Sequence, residues 1–328
     1  MGRFVAGRLA ALVVVLVALT FVVFLIQSTV PSDPVAATLG GGASQQVIAQ
    51  KRHELGYDRP LYVQYDRFLQ RLSHADLGVS LRTHDKVLSD IGHFAPATIE
   101  LAVVSLLFVT LFAFVLGLWS ASQGRGSGVV RVLMIGGSSL PTFLAGILLV
   151  LLFYSKLHWL PASGRTSGGT ATGFVLADSV LHLDPAAFWD GLRHILLPAI
   201  VVAIGPGVAI GRVLRGGLLE AMRQDYARTA RSKGLAPSTV LVRHGVRNAL
   251  TPTLSMAGLQ VGLLLTGVVV VESVFAWPGL GLYTATALQH SDFPAIVGVT
   301  FVLGAVYVVV NALVDVLQVV ADPRLKDG

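Results

Sequence analysis

About six stretches of this chain run for some twenty residues almost without charge, and no other feature constrains the fold as strongly. The first, Leu9 to Ile26, is apolar for roughly 18 residues and follows Arg3 and Arg8. Five more follow at about Thr98–Trp119, Val132–Tyr154, Ile195–Leu214, Leu254–Phe275 and Ala295–Val320. A helix rising about 1.5 Å per residue crosses a hydrocarbon core of about 30 Å with windows of this length. Charged residues make up 13% of the chain, against about 25% in a soluble domain, and they are concentrated between the windows. The sequence therefore predicts an all-α integral membrane protein with about six transmembrane helices. The first window is longer than the roughly 7–15-residue core of a signal peptide, and Ala36-Ala37 lies well past it, so it is expected to be a retained helix. With no cysteine, the chain has no disulfide, thiolate metal site or cysteine nucleophile.

The basic residues set the expected orientation. Arg3 and Arg8 precede the first window, Arg125 and Arg131 separate the second from the third, and Arg324 and Lys326 follow the last. Arg212, Arg215, Arg223, Arg228, Arg231, Lys233, Arg243 and Arg247 crowd the segment between the fourth and fifth windows. The segment between the fifth and sixth has neither Lys nor Arg. Basic loops stay inside, so both termini and the Arg-rich segment are expected in the cytoplasm. The stretch from Pro31 to Pro96 balances seven basic residues with seven acidic ones and is long, so it is expected outside.

The domain organisation expected is thus a first helix over 1–30, an external helical subdomain over 31–97 and a five-helix core over 98–328. Within the subdomain, Ser44 is placed to cap a helix running to Glu54, with Gly56 as a stop. Leu61, Tyr65, Phe68 and Leu72 recur at helical spacing after Pro60, with Asp58 or Arg59 near the cap. The apolar face of that second helix needs a partner, either the membrane helices or another protein.

The later windows are not plain anchors. Pro141 lies in the third, Pro198 and Pro206 in the fourth, and Gly258, Gly262 and Gly267 in the fifth. Small residues let helices approach closely and proline loosens the hydrogen-bond ladder, so Pro141, Pro198, Pro206 and Gly262 are candidate pore or hinge positions. Glu100, Glu272 and Asp315 lie near the ends of windows, and no chain of acids forms a proton relay. Gly205-Pro-Gly-Val-Ala-Ile-Gly211 sits inside an apolar window and marks helix packing; no phosphate-loop pattern occurs. His53-Glu54-Leu-Gly-Tyr57 lacks the second histidine of a zinc-protease motif, and the nine histidines show no ligand spacing, so no metal site and no catalytic set is expected. The basic cluster has no aromatic platform for nucleic acid.

The segment at 215–250 is richer than a connector requires. Glu220 to Lys233 contains no Gly or Pro and predicts a helix. Gly234 suits a left-handed C′ position with Leu235 beyond it, and Pro237 starts a second helix that Thr251-Pro252 is expected to end. Physically, a helix–turn–helix held between two spans serves equally as a lever for a partner or as an amphipathic hairpin lying on lipid.

The segment Asp225-Tyr-Ala-Arg-Thr-Ala-Arg-Ser-Lys-Gly-Leu235, followed by Arg243-His-Gly-Val-Arg-Asn-Ala-Leu-Thr-Pro252, resembles the cytoplasmic signature of dipeptide/oligopeptide-type ABC transporter permeases. Collinear matches are Pro31-Ser-Asp-Pro34, Leu55-Gly-Tyr-Asp-Arg-Pro-Leu61, Asp76-Leu-Gly-Val-Ser-Leu81, Pro96-Ala-Thr-Ile-Glu-Leu101, Ser139-Leu-Pro-Thr-Phe143, Trp159-Leu-Pro-Ala-Ser-Gly164 and Glu272-Ser-Val-Phe-Ala-Trp-Pro-Gly-Leu-Gly281. The outer segment resembles that of the first of the two permeases in such systems. Where the general importer signature begins Glu-Ala-Ala, this chain has Arg228-Thr229-Ala230, as is usual in the peptide branch.

The resemblance implies a type I ABC importer permease fold in the bacterial plasma (inner) membrane. It also implies a coupling helix whose Asp225, Tyr226, Thr229, Ala230, Lys233, Gly234 and Leu235 meet a cytoplasmic ATPase. Implied partners are a second homologous permease, two ABC ATPase subunits that use ATP and Mg, an external substrate-binding protein, the lipid bilayer and a peptide substrate, with no cofactor on this chain. Trp277, Pro278 and Tyr283 are the expected external docking residues. Importers of nickel, glutathione or another small solute share this branch. A proton-coupled secondary transporter would need paired intramembrane charges and inverted repeats, which are not evident.

Overall fold

In the computed structural model the described residues are 2–29, 44–55, 58–122, 124, 126–166 and 171–321, and they form helices joined by turns, with one isolated bridge, Val79 to Lys86. Gly56, the Pro31-Ser-Asp-Pro34 motif, Arg125, Arg324 and Lys326 lie outside these residues, as do the side chains of Arg3, Arg8 and Asp315. Among the described residues, four helices are long and apolar enough to cross a membrane: Val87–Ala121, Pro185–Ala221, Pro237–Val274 and Phe293–Val314. A broken pair, Ser127–Gly137 with Thr142–Lys156, makes up to five.

The chain divides into two compact units, 1–95 with 282–309, and 96–281 with 310–328. In the first, α1 (Gly2–Thr29) is followed by α2 (Gln45–Leu55) and α3 (Leu61–Ser73). The Ser44 hydroxyl accepts the Val47 N–H at 3.4 Å, a weak cap for α2. Pro60 occupies the N-cap of α3 with no side-chain bond, and Arg59 directly precedes it. The amphipathic face of α3 finds its cover within the chain. Phe68 is buried with Val23 and Phe24 of α1 and Val297, and the Tyr65 hydroxyl lies 2.9 Å from that of Thr20. The same unit holds a buried polar knot. Ser80 donates to Asp292 at 2.5 Å, while Thr83 and Tyr283 both donate to Asp90, at 2.6 and 2.7 Å. Burial and the Asp90 carboxylate push the Tyr283 phenol well above its usual range.

The second unit is built from long helices. Helix α4 (Val87–Ala121) begins eleven residues before the expected Thr98, because Pro96 sits inside it without ending it. Helices α5 (Ser127–Ser139) and α6 (Thr142–Val150) replace the single expected third window. Leu140 and Pro141 take extended backbone angles, since a residue before proline avoids the helical region and Pro141 caps the next helix. After α6 a π-helical turn, Leu151–Lys156, leads out of the apolar region to α7 (Val175–Leu181).

Asp184 caps α8 (Pro185–Ala221), its carboxylate accepting from the N–H groups of Ala186 and Ala187 at 3.0 Å each. This helix forms the core, burying Ile195, Leu197, Ala199, Val202 and Ala203. It runs unbroken through Pro198 and Pro206. A buried ion pair closes one end: Arg165 donates to Glu100 at 2.5 Å and to the Gly173 carbonyl at 2.7 Å, while Glu100 also accepts the Leu176 N–H. The Arg165 guanidinium lies over the Trp277 ring at 5.6 Å.

Candidate functional site

The elbow lies between α8 and α10, with α9 (Asp225–Ser232) at its tip and α10 spanning Pro237–Val274. Two features depart from expectation. The helix predicted from Glu220 to Lys233 is interrupted: α8 ends at Ala221, and the N–H groups of Met222, Arg223 and Gln224 bond back to Leu218, Glu220 and Ala221 in a tight turn. Second, Pro252 does not end α10, which continues to Val274 with a π-helical turn at Leu241–Val246. Proline in a helix interior costs about 3 kcal/mol, but a membrane helix whose neighbours are packed against it tolerates that loss. Here Ala249, Thr253 and Gly258 are buried.

At the tip, Gly234 adopts φ +83°, the left-handed region open to glycine. The Leu235 N–H donates to the Ala230 carbonyl at 3.3 Å and the Gly234 N–H to that of Arg231 at 2.9 Å, the paired bonds of a Schellman ending. The chain thereby folds α9 back on the start of α10. Ala227, Ala230 and Val240 are buried together with Met222 against them. Small residues on α9 permit that approach. Arg231 fixes the other side, donating from Nη2 to the Met222 carbonyl at 3.0 Å and from Nε to Ala227 at 3.3 Å, so it ties α9 to the end of α8.

The base of the elbow is equally tight. A Cβ on Gly217 would stand 2.9 Å from the Ala249 Cβ and 3.1 Å from its Cα, so the backbones of α8 and α10 meet there. Leu214, Leu218, Leu241 and Ala249 pack around the contact with Ala121 of α4.

The site residues read from sequence divide accordingly. Asp225, Tyr226, Thr229, Lys233, Gly234 and Leu235 are exposed on one small element, with Tyr226 41% and Leu235 38% accessible. Ala230 is not among them: it is buried inside the elbow by Val240 and supports the exposed residues from behind. Pro198 and Pro206 are buried in α8, Pro141 starts α6, and Gly262 is half-buried in α10. Pro206 also lines a cavity of about 360 Å3 between α4, α8 and α10, with Ala113, Thr253 and Gln260. Trp277 and Tyr283 do not face outward as docking residues. Each is 1% exposed, Trp277 donating to the Ala97 carbonyl at 3.0 Å and Tyr283 to Asp90, because large rings with one polar atom bury well when that atom finds an acceptor. Pro278 is half-buried. Sequence reasoning missed Arg231, Ala227 and the Gly217–Ala249 contact; only the recurrence of Ala227 and Ala230 three apart hinted at the packed face.

Two family models cover nearly the whole chain. Residues 113–327 match the binding-protein-dependent transport system inner membrane component, and residues 1–102 match the N-terminal part of such membrane components. The chain belongs to this family. This permease is 38% identical over 335 residues to the di/tripeptide transport system permease protein of Pseudomonas aeruginosa (strain UCBPP-PA14), covering 99% of each chain. It is 35% identical to the dipeptide transport system permease protein of Escherichia coli (strain K12), covering 99% of each chain. The protein of that name from Alkalihalophilus pseudofirmus is 34% identical, over 97% of this chain and 98% of the relative. The permease is a multi-pass helical membrane protein and a transport subunit, and the ATPase of such importers is a separate subunit.

Proposed function

We propose that this permease forms half of the translocation pathway of an ATP-driven importer for di- and oligopeptides, and that its elbow receives the force of ATP hydrolysis. Six spans cross the bacterial plasma membrane, α1 and the broken α5–α6 pair included, with both termini in the cytoplasm. The basic residues of the elbow, with Arg125 and Arg131, support that orientation. A second homologous permease completes the pathway. Two ABC ATPases, consuming ATP with Mg, dock on the elbow, and an external binding protein delivers the peptide.

One observation carries the coupling role: a rigid tip that exposes Tyr226, Thr229, Lys233 and Leu235 while its back is buried and its base is in backbone contact with α10. Such an element transmits a push into two long helices together. The peptide substrate rests on the relatives, which are permeases of di/tripeptide and dipeptide transport systems. The test is uptake by the complete transporter in proteoliposomes, with labelled dipeptide, nickel and glutathione offered in parallel. ATP-dependent accumulation of the dipeptide alone is expected. Accumulation of nickel or glutathione in its place, or dipeptide uptake that persists without the ATPases, contradicts the assignment.

A further inference from the structure

Where α6 and α8 leave their apolar stretches lies a partly open cavity of about 230 Å3, lined by Tyr154, His158, Asp190, Arg193 and His194 with Leu160 and Pro161 as its apolar side. On α8 the polar side chains Asp190, Arg193 and His194 stop where the buried apolar run begins at Ile195. On the other wall the apolar run of α6 and its π-helical turn ends at Lys156. Both walls therefore change from oily to polar beside the cavity, the change a helix makes where it leaves the hydrocarbon core. Three amphipathic rings mark that level too: Trp159 is 61% exposed, Trp189 60% and Tyr154 48%, as in an interfacial aromatic belt.

The charges inside are paired in a particular way. Arg193 Nη2 donates to the Trp159 carbonyl at 2.8 Å, which uses one of the five N–H donors of a guanidinium and fixes its position. The Asp190 main-chain carbonyl lies 2.8 Å from His194 Nδ1, and the half-exposed Asp190 carboxylate lies 3.5 Å from the same nitrogen, leaving its other oxygen to meet a ligand. One fixed cation and one carboxylate thus stand three residues apart on the same face of α8.

We propose that this cavity binds the headgroup of a zwitterionic aminophospholipid, phosphatidylethanolamine, with the phosphate on Arg193 and the Tyr154 hydroxyl and the primary ammonium on Asp190. A choline headgroup carries no N–H to give Asp190, and a glycerol headgroup carries no cation. The proposal does not depend on the elbow's coupling role.

Native mass spectrometry of the complete transporter, purified in mild detergent and titrated with phospholipids of matched chains, tests it. Phosphatidylethanolamine should bind about tenfold more tightly than phosphatidylcholine, the worth of one charge-assisted hydrogen bond. Asp190→Asn should erase that preference, and Arg193→Gln should weaken every phospholipid about tenfold. Inorganic phosphate and a dipeptide should displace nothing. Equal binding of ethanolamine and choline lipids, or variants that bind as the parent does, overturns the proposal. Displacement by inorganic phosphate makes the cavity a simple anion site, and displacement by the dipeptide makes it a substrate subsite; either result overturns it. If Arg193→Gln fails to assemble, the half-exposed Asp190→Asn decides alone.

Discussion

Substitution of Gly234 separates the elbow's backbone requirement from what its surface touches. At φ +83° any L residue is strained, by about 1–2 kcal/mol, with asparagine strained less. No heavy atom lies within 4 Å of the position a Cβ would take, so no steric penalty adds to this. Gly234→Ala and Gly234→Arg therefore bear the same folding cost, and Gly234→Asn a smaller one. The long arginine side chain adds only an obstruction on the exposed turn beside Lys233 and Leu235. If an ATPase seats there, Gly234→Arg should lose at least about tenfold in uptake relative to Gly234→Ala, equivalent to about 1.4 kcal/mol of docking. Gly234→Asn should lie nearest the parent. The assay is initial-rate peptide uptake and peptide-stimulated ATP hydrolysis by the reconstituted transporter, with permease abundance measured alongside. Equal activities for the alanine and arginine variants, at equal abundance, would refute the reasoning.

Gly217→Ala drives a methyl into Ala249 and should lower transporter stability by about 1–2 kcal/mol, overpacking outweighing the gain in helix propensity; adding Ala249→Gly should restore it, read as the thermal midpoint of the purified complex. Glu100→Gln should cost about 3–5 kcal/mol by leaving Arg165 buried without its counter-charge, whereas the double variant Glu100→Gln with Arg165→Met should recover much of this in the same melt. Hydrogen bonds from the Thr172 backbone and hydroxyl hold the Asp178 carboxyl below its usual range. A depressed acid stabilises the folded state above its unfolded value of about 4 and loses that contribution as the pH falls through the folded one, so Asp178→Asn should flatten the acid limb of stability against pH. The raised Tyr283 phenol works at the other end. Its folded form keeps a proton the unfolded chain gives up above about pH 10, so stability should fall there, and Tyr283→Phe should remove that alkaline fall.

Much of this was legible because some residues admit one solution. Gly234 before Leu235 predicted the left-handed turn, and both Schellman bonds are present. Apolar windows predicted the long helices, and the spacing of Tyr65, Phe68 and Leu72 predicted α3. What failed were judgements in which local chemistry competes with packing. Pro141 breaks its helix while Pro96, Pro198, Pro206 and Pro252 do not, so the local preference of a pre-proline residue decides only one of the five cases. Trp277 and Tyr283 looked like outward rings because their acceptors, Ala97 and Asp90, are nearly two hundred residues away in the chain. Ala230, which the resemblance puts against the ATPase, is instead covered by Val240, a residue ten positions on that the Gly234 turn brings back over α9.

The most direct measurement is site-specific photo-crosslinking from residue 226, with a photoreactive phenylalanine replacing Tyr226 in the assembled transporter in its native membrane. The account predicts a covalent adduct with an ATPase subunit, its yield changing between nucleotide-free and ATP-bound states. Adducts with lipid alone, unchanged by nucleotide, would contradict it.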